Sequence, residues 1–397
     1  MRSLPAFRYA VGNISLRAVL LVLGLCVGLA SAGGAQSKPR ARDLGVPFDG
    51  TPGAYNAITD VKGVEVGHTT LISGSGKLVV GQGPVRTGVT AILPRGKDST
   101  DPVFGAWFTL NGNGEMTGTT WLEDSGFLDG PVMITNTHSV GVVRDAVIAW
   151  RIKRAPPDQD GYDWSLPVVA ETYDGTLNDI NGFHVRPEDA WHALDSAHGG
   201  RVEEGSVGGG TGMVCNEFKG GIGTSSRVVE AKYGGYTVGV LVQCNYGWRS
   251  QLRIAGVPIG REIPDHLVKD DDVGSIIIVV ATDAPLIPTQ LRRLARRAAL
   301  GLGREGSYSG DGSGDIFVAF STANPGAAGG QGLRQLTMLP NEQLNPLFLA
   351  TVQATEEAIV NAMVAAETMK GINDFEVIGL PHDRLREALK KYNRLAH

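Results

Sequence analysis

Cysteine and runs of like charge are scarce in this chain. Three cysteines among 397 residues are too few for a disulfide framework, and no run of five or more residues carries one sign of charge. The formal net charge is −5, whereas a protein that binds nucleic acid through its phosphates would be more basic. These absences exclude a disulfide-rich scaffold and argue against a nucleic-acid partner.

Common catalytic and cofactor motifs are also missing. The sequence contains no G-x-S-x-G elbow, no G-x-x-x-x-G-K-[ST] phosphate loop and no H-E-x-x-H pair. The histidines closest in sequence, His192 and His198, would lie on different faces of a helix, which disfavours a metal site. Gly301 to Gly306 spells G-x-G-x-x-G, but it follows a predicted helix, so a glycine turn ending that helix is the better interpretation. We therefore expect neither a metal nor a cofactor.

Glycine, in contrast, is abundant: its 55 residues are about twice the usual share of ~7%. It shows no collagen-like period, so we expect it in tight turns and at close backbone contacts. Short β-branched segments alternate with glycine-rich turns, and helical patterns follow. This predicts an α/β protein with stacked sheets covered by helices. The predicted strands are 85–94, 103–110, 132–135, 236–243, 275–281 and 316–320, and the predicted helices are 138–153, one beginning at 288 and one from 345 to about 370.

The first 32 residues have the pattern of a signal peptide. Three arginines precede an apolar run from Ala18 to Leu29, and Ala30-Ser31-Ala32 fits a small-x-small cleavage site. The apolar run is short for a bilayer span, although an uncleaved N-terminal anchor is the alternative. We expect an exported protein, periplasmic or secreted, whose mature chain begins near residue 33.

Two cysteines, Cys215 and Cys244, remain in the exported chain. Both stand in largely apolar segments, which is typical of buried cysteine. A single disulfide is the alternative in an oxidising compartment. We expect two buried free thiols and no cysteine nucleophile.

One serine stands in a context that suggests chemistry. Gly274-Ser275 joins an acidic loop to the most β-branched segment of the chain. Glycine can hold a strained backbone, and a hydroxyl directly after it can attack the glycine carbonyl, which produces an ester that water hydrolyses. Ser275 would then carry a free α-amine with a pKa of about 7.7–8.0, which suits a general base at neutral pH. On spacing alone, an ordinary loop that enters a strand is the simpler explanation.

Segments spread over most of the chain add to that interpretation. They are Gly45-Val46-Pro47, Ile58–His68, Leu110–Glu115, Thr135–Gly141, Glu171–Gly175, Gly208–Gly212, Gly239–Asn245 and Gly274–Leu286. From about residue 41 to 390 the sequence resembles the self-cleaving aminopeptidase family that includes L-aminopeptidase/D-esterase, the β-peptidyl aminopeptidases and nylon-oligomer hydrolase. The resemblance implies a four-layer αββα sandwich of the amino-terminal-nucleophile type. It also implies cleavage between Gly274 and Ser275 into chains 33–274 and 275–397 of one domain, and a homo-oligomer such as a tetramer.

The resemblance assigns the catalytic residues. Ser275 matches the nucleophile, with its own amine as the base, and Asn245 matches the amide that donates to the oxyanion. Ser313 and Asp315 match the pair that orients and polarises the nucleophile, and Asp315 is shorter than the Glu that some relatives carry there. Without the resemblance, residues 310–315 would be interpreted as a turn.

Three further residues match the surroundings of the substrate. Glu171 and Tyr173 match positions near the substrate amino group and the oxyanion. A carboxylate there would pair with a free N-terminal ammonium and so favour an exopeptidase. Trp164 is expected either to wall the side-chain pocket or to lie in the core.

The sequence thus predicts a self-processing serine aminopeptidase or amidase that releases N-terminal residues from small peptides, amides or esters through an acyl-enzyme. A hydrolase of β-peptides or of ω-amide oligomers is an alternative within the same class. An acyltransferase like ornithine acetyltransferase is less favoured because that family uses threonine where this chain has Ser275. A binding module that never cleaves itself is the remaining alternative.

Overall fold

The computed structural model describes residues 38–154, 164–268 and 274–396. The predicted signal peptide lies outside these residues, as does the end of the acidic loop that precedes Ser275. Among the residues described, no helix combines the length and the apolar character that crossing a bilayer would take.

The six predicted strands are all present, and their ends differ from the prediction by at most two residues. In chain order the strands are β1 (Glu65–Ser73), β2 (Val85–Leu93), β3 (Val103–Gly112), β4 (Phe127–Leu128), β5 (Val132–Asn136), β6 (Val168–Thr172), β7 (Val214–Cys215), β8 (Phe218–Lys219), β9 (Gly221–Val228), β10 (Thr237–Asn245), β11 (Ser275–Thr282), β12 (Gly314–Ser321), β13 (Met369–Lys370) and β14 (Glu376–Val377).

The predicted helices are present as well, with one wrong boundary. The helices are α1 (Thr119–Ser125), α2 (Val140–Arg154), α3 (Pro187–Asp195), α4 (Ile259–Glu262), α5 (Pro288–Arg304), α6 (Asn345–Val364) and α7 (His382–Lys391). Helix α6 ends at Val364 and not near Lys370. Met369 and Lys370 instead form β13, which pairs with β14 in a small antiparallel ladder. As predicted, the G-x-G-x-x-G segment forms the end of α5 and the turn after it, with Gly306 at a φ of 98°.

Two main sheets face each other. Over the described ranges, one sheet has the order β1-β2-β5-β6 and the other the order β4-β3-β12-β11-β10-β9. Apolar side chains of both sheets, among them Ile134, Leu241 and Ile277, form the core between them. Helices α2 and α3 pack on the outer face of the first sheet, and α5 and α6 pack on the outer face of the second. The predicted αββα sandwich is therefore confirmed.

The prediction of two free thiols is wrong. Cys215 of β7 and Cys244 of β10 form a disulfide, with their Cα atoms 5.6 Å apart. Both residues are fully buried in the core between the second sheet and its helices. They meet because the short strand β7 packs against the end of β10, a contact that neither local sequence segment reveals.

Close packing of α6 on β9 depends on a glycine in the strand. A Cβ atom at Gly223 would overlap the backbone oxygen of Ala358 in α6. A side chain at this position would force the helix away from the sheet, because a packed interior yields little to added volume.

Replacing Gly223 by alanine should therefore lower the free energy of unfolding by roughly 1–3 kcal/mol. Gly303, on an exposed turn of α5, is the matched control, since a Cβ there would meet no atom within 4 Å. Gly303→Ala should leave stability unchanged or raise it by roughly 0.5–1 kcal/mol. Thermal unfolding of the two variants measures both effects, and equal melting temperatures would contradict the proposed packing constraint.

Candidate active site

Ser275 is the first residue of β11 and lies between two neighbouring strands. Its alternate residues Ile277 and Val279 point into the core between the sheets, so the Ser275 side chain lies on the same face. The residue is 7% exposed, and its hydroxyl oxygen accepts a hydrogen bond of 3.0 Å from the backbone N–H of Gly314 in β12. A buried hydroxyl thus stands at the open end of a rigid strand.

Asn245, the last residue of β10, lies directly opposite Ser275 in the antiparallel ladder. Its Oδ1 accepts a hydrogen bond from the backbone N–H of Val214 at 2.7 Å. Its Nδ2 donates to the backbone oxygen of Tyr173 at 2.9 Å. Contacts at both ends fix the orientation of the amide beside the serine, and an amide nitrogen carries a second N–H.

Asp315 and Ser313 lie on the other side of Ser275. Asp315 is 1% exposed, and its Oδ1 accepts a hydrogen bond of 3.2 Å from the backbone N–H of Ile276. The carboxylate therefore contacts the backbone directly after Ser275. Ser313 is buried in the turn before β12, where its backbone oxygen accepts a hydrogen bond from the N–H of Asn113 at 3.1 Å. The peptide that joins Ser313 to Gly314 supplies the donor to the Ser275 hydroxyl.

Glu171 belongs to the facing sheet, near the end of β6. Its carboxylate accepts hydrogen bonds from the hydroxyl of Thr137 and from the backbone N–H of Glu115, the latter at 2.9 Å. Burial raises the pKa of Glu171 above its ordinary value, and these hydrogen bonds only partly oppose the shift. The negative charge of Glu115 raises the pKa further.

The loop after β3 connects the two sides of the site. A Cβ atom at Gly114 would lie 3.2 Å from the Cα of Gly314 and 3.3 Å from Oε1 of Glu171. Glu171 and the peptide that contacts Ser275 therefore flank the same glycine. The structure thus brings together six of the seven residues that the sequence predicted for the site, contributed by both sheets.

Trp164 is the seventh. Its side chain is half exposed and makes an edge-to-face contact with Trp121, with the ring centroids 6.0 Å apart. The interpretation as a core aromatic is therefore wrong, and its role as a pocket wall remains a prediction. Tyr173 is also partly exposed, at 38%. The pKa of its phenol is raised, mainly because the group is partly desolvated and to a smaller extent by the negative charge of Asp174.

Gly274, which precedes the serine, is tightly confined. A Cβ atom there would lie 2.5 Å from the backbone oxygen of Asn245 and 2.8 Å from the Cα of Tyr246. Only glycine allows the chain to run this close to the end of β10. The peptide bond between Gly274 and Ser275 is thus held against the residue that carries the amide donor.

Several groups that complete the site were not predicted. The backbone N–H groups of Gly314 and Val214 have no sequence signal, because every residue except proline carries such a donor. The fully buried Lys219 donates to the backbone oxygens of Met213 and Gly220, each at 2.8 Å, and so holds the loop around Val214. The segment around Lys219 contains polar and charged residues as well as glycines, so its sequence gave no signal that this lysine is buried.

The buried Asp174 anchors the backbone next to Tyr173. Its carboxylate accepts hydrogen bonds of 3.0 Å from the side-chain amides of Asn136 and Asn178. Burial raises its pKa from 3.8 to about 6 despite these donors. These contacts fix the position of Asp174 and so of the adjoining backbone at Tyr173, whose oxygen accepts the hydrogen bond from Asn245.

The fold and the site define a class. A hydroxyl at the start of a strand, in an αββα sandwich and flanked by an amide donor and a carboxylate, is the arrangement of a hydrolase with an amino-terminal nucleophile. The chain belongs to peptidase family S58, whose family model matches residues 56–377.

Known relatives agree with this assignment. The β-peptidyl aminopeptidase BapA of Sphingosinicella microcystinivorans is 57% identical over 390 residues, which cover 94% of this chain and 97% of that protein. Among solved structures, the chain is similar to the L-aminopeptidase D-ala-esterase/amidase of Ochrobactrum anthropi, with a TM-score of 0.85 and 50% sequence identity. The match covers 90% of this chain and 100% of that one. That enzyme is described as a prototype of the serine aminopeptidases with a variant Ntn hydrolase fold. A β-aminopeptidase from a Burkholderia species has a TM-score of 0.82 and 48% identity over 89% of this chain and 99% of that one. The protein is accordingly a hydrolase of the aminopeptidase type.

The buried Asp174 gives the stability a specific pH dependence. Because its folded pKa of about 6 lies above the ordinary 3.8, the folded state retains a proton that the unfolded state has released between these values. This group therefore costs the wild type on the order of 3 kcal/mol as the pH rises from about 4 to about 7. Asp174→Asn should lack this loss, so its melting temperature relative to wild type should rise with pH. Calorimetry of both proteins across that range measures the difference, and a constant difference would contradict the assignment.

Proposed function

We propose that this chain cuts itself between Gly274 and Ser275 and then acts as an aminopeptidase whose nucleophile is the new N-terminal serine. The position of Ser275 carries the proposal: its hydroxyl lies at a strand end, between the Gly314 N–H and the Asn245 amide. The products would be chains 33–274 and 275–397, which remain together in one sandwich.

The self-cleavage would proceed by attack of the Ser275 oxygen on the carbonyl carbon of Gly274. The C–N bond breaks, the nitrogen of Ser275 takes up the proton of the hydroxyl, and an ester joins Gly274 to the serine oxygen. Water then hydrolyses that ester and leaves a free α-amine on Ser275. The close contact of Gly274 with the Asn245 backbone supports this step, because it holds the reacting bond next to the amide donor.

In turnover, the free amine of Ser275 would accept the proton of its own hydroxyl as the oxygen attacks the substrate carbonyl. The second N–H of Asn245 would donate to the oxyanion, a contact that can contribute about 3–4 kcal/mol to transition-state stability. The proton then passes to the leaving amine, and water hydrolyses the acyl-enzyme. Asp315, which accepts from the N–H of Ile276, would hold the backbone after the nucleophile, with Ser313 in the adjoining turn.

Glu171 would bind the N-terminal ammonium of the substrate. A buried carboxylate across the site from the nucleophile favours substrates with a free amino end, since an internal peptide would leave its charge unpaired. Tyr173, whose backbone oxygen orients Asn245, would lie beside the same substrate atoms, and Trp164 would border the side-chain pocket.

The preferred substrates would be short peptides and amides with an N-terminal β-amino acid. Two of the relatives named above are β-aminopeptidases by name, at 57% and 48% identity. The third is an L-aminopeptidase, so N-terminal α-residues form the second candidate class. Release of p-nitroaniline from a matched pair, β-homoalanine and L-alanine p-nitroanilide, distinguishes them: a higher kcat/KM for the α-substrate would contradict the preference.

Export and assembly complete the proposal. The pattern of residues 1–32 supports a signal peptide, which implies a periplasmic or secreted enzyme. The resemblance of the sequence to oligomeric aminopeptidases supports a homo-oligomer. Determination of the mature N-terminus and the mass of the native assembly tests both points.

Ser275→Ala should leave a single uncut chain without aminopeptidase activity, because the hydroxyl that attacks Gly274 is gone. Alanine fits the same buried position, so the fold should be retained. Intact mass of the purified protein measures cleavage, and Ser275→Cys, which keeps a nucleophile, should still be cut. Normal cleavage of Ser275→Ala would contradict the mechanism.

Glu171→Gln should raise KM for substrates with a free ammonium by roughly 10- to 100-fold and change kcat much less. In the wild type, KM should rise as the pH falls through the pKa of Glu171, which burial places above that of an exposed glutamate. Glu115→Gln is the matched control: removing its charge lowers the pKa of Glu171 and should move this rise in KM to lower pH. Steady-state kinetics of the three proteins across pH measures the effect, and a pH dependence that survives in Glu171→Gln would exclude this role.

A further inference from the structure

The disulfide lies beside the amide that the proposed mechanism uses for the oxyanion. Cys215 directly follows Val214, whose N–H donates to Oδ1 of Asn245 at 2.7 Å. Cys244 directly precedes Asn245 and pairs across the ladder with Ile276, the neighbour of Ser275. The disulfide thus joins the end of β10, which carries the Asn245 amide, to the segment around Val214, whose N–H orients that amide.

Hydrogen bonds flank the disulfide on both sides. On one side is the contact from Val214 to Asn245, and on the other the N–H of Asn216 donates to the backbone oxygen of Tyr246 at 2.6 Å. Each of residues 214, 215 and 216 is therefore bonded to a residue of the 244–246 segment. The middle one, Cys215, is joined by the disulfide, and both cysteines are fully buried.

The surrounding packing leaves this connection little freedom. A Cβ atom at Gly220 would overlap the backbone oxygen of Cys244 and lie 2.9 Å from the backbone nitrogen and the Cβ of Cys215. Gly220 thus packs tightly against the backbone of both cysteines. Lys219 and the pairing of β7 with β8 hold residues 214–216 within their own loop. Without the S–S bond, hydrogen bonds and packing alone would connect this segment to residues 244–246.

We propose that the Cys215–Cys244 disulfide is a positioning element for catalysis, which fixes the Asn245 amide in the orientation that stabilises the oxyanion. The inference rests on the proposed function, in which Asn245 is that donor. Misplacement of a catalytic group by about 1 Å can cost up to 10²-fold in rate. A disulfide with a merely structural role would change stability and leave kcat unaltered.

The test uses purified, self-cleaved enzyme and the double variant Cys215→Ala/Cys244→Ala. Thiol titration of the denatured wild type should find both cysteines oxidised. The double variant should show a kcat about 10-fold or more below wild type with amino-acid p-nitroanilides, with KM within about twofold. Activity is expressed per cleaved chain, measured by intact mass, so that slower processing does not enter kcat.

Two further variants separate positioning from stability. Val147→Ala, in the core between α2 and the first sheet, removes two methyl groups far from the disulfide in sequence and should lower the melting temperature without lowering kcat. In an Asn245→Ala background, the cysteine substitutions should cost little further kcat, because they act through the amide that is already absent. Additive losses in that background would overturn the proposal.

The effect of the disulfide on kcat can also be measured without substitutions, by comparing reduced and oxidised wild-type enzyme. Wild-type chain produced in a reducing cytoplasm should carry both thiols, and its kcat should rise when the disulfide is formed by mild oxidation. Free thiols in the exported enzyme, or equal kcat in oxidised and reduced protein, would overturn the inference. Absence of any aminopeptidase turnover by the wild type would instead reject the proposed function itself.

Discussion

The register of three neighbouring strands sets the geometry of the whole site. In that register Ser275 lies opposite Asn245 on β10, and Ile276 lies opposite Asp315 on β12. Because side chains alternate along a strand, a slip of one residue would turn the Ser275 hydroxyl to the helix-covered face of the sheet. The β-branched run that follows Ser275 packs against the helices on one face and against the opposite sheet on the other. The strand that carries the reactive group is thus among the most deeply buried parts of the molecule.

Polar contacts between the facing sheets complete the site. Gln243 lies two residues before Asn245, on the same face of β10. Its Nε2 donates to the backbone oxygen of Thr135 at 3.0 Å and to the hydroxyl of Thr172 at 2.8 Å. At the edge of the apolar core, buried polar groups must find partners in each other. The resulting network orients the groups that face the substrate, and its desolvation raises the pKa of Glu171 and of Asp174. The chemistry proposed for Ser275 therefore depends on a preformed polar edge.

The six strands and three helices that were predicted have local sequence patterns. Other elements were not predicted, among them the strands β1, β6 and β9 and the helices α1, α3 and α7. The β-branched run after Ser275 and the helical spacing after Pro288 each specify an element without reference to the rest of the chain. Two predictions were wrong. Met369 and Lys370 do not extend α6 but pair with β14, which follows shortly after them in the chain. The disulfide joins cysteines 29 residues apart and depends on the packing of β7 against β10. Backbone donors such as Gly314 N–H could not be predicted, because their positions follow only from the folded chain. The roles of Ser313, Asp315 and Tyr173 came from family resemblance and not from the residues themselves.

The most direct measurement is identification of the residue that carries the acyl group during turnover. The enzyme would be mixed with an activated β-amino ester, quenched in acid within the first turnover and analysed by tandem mass spectrometry. The account predicts one acyl group, on Ser275, at the N-terminus of a fragment that begins at that residue. An adduct on any other residue, or on a chain still continuous across Gly274 and Ser275, would contradict it.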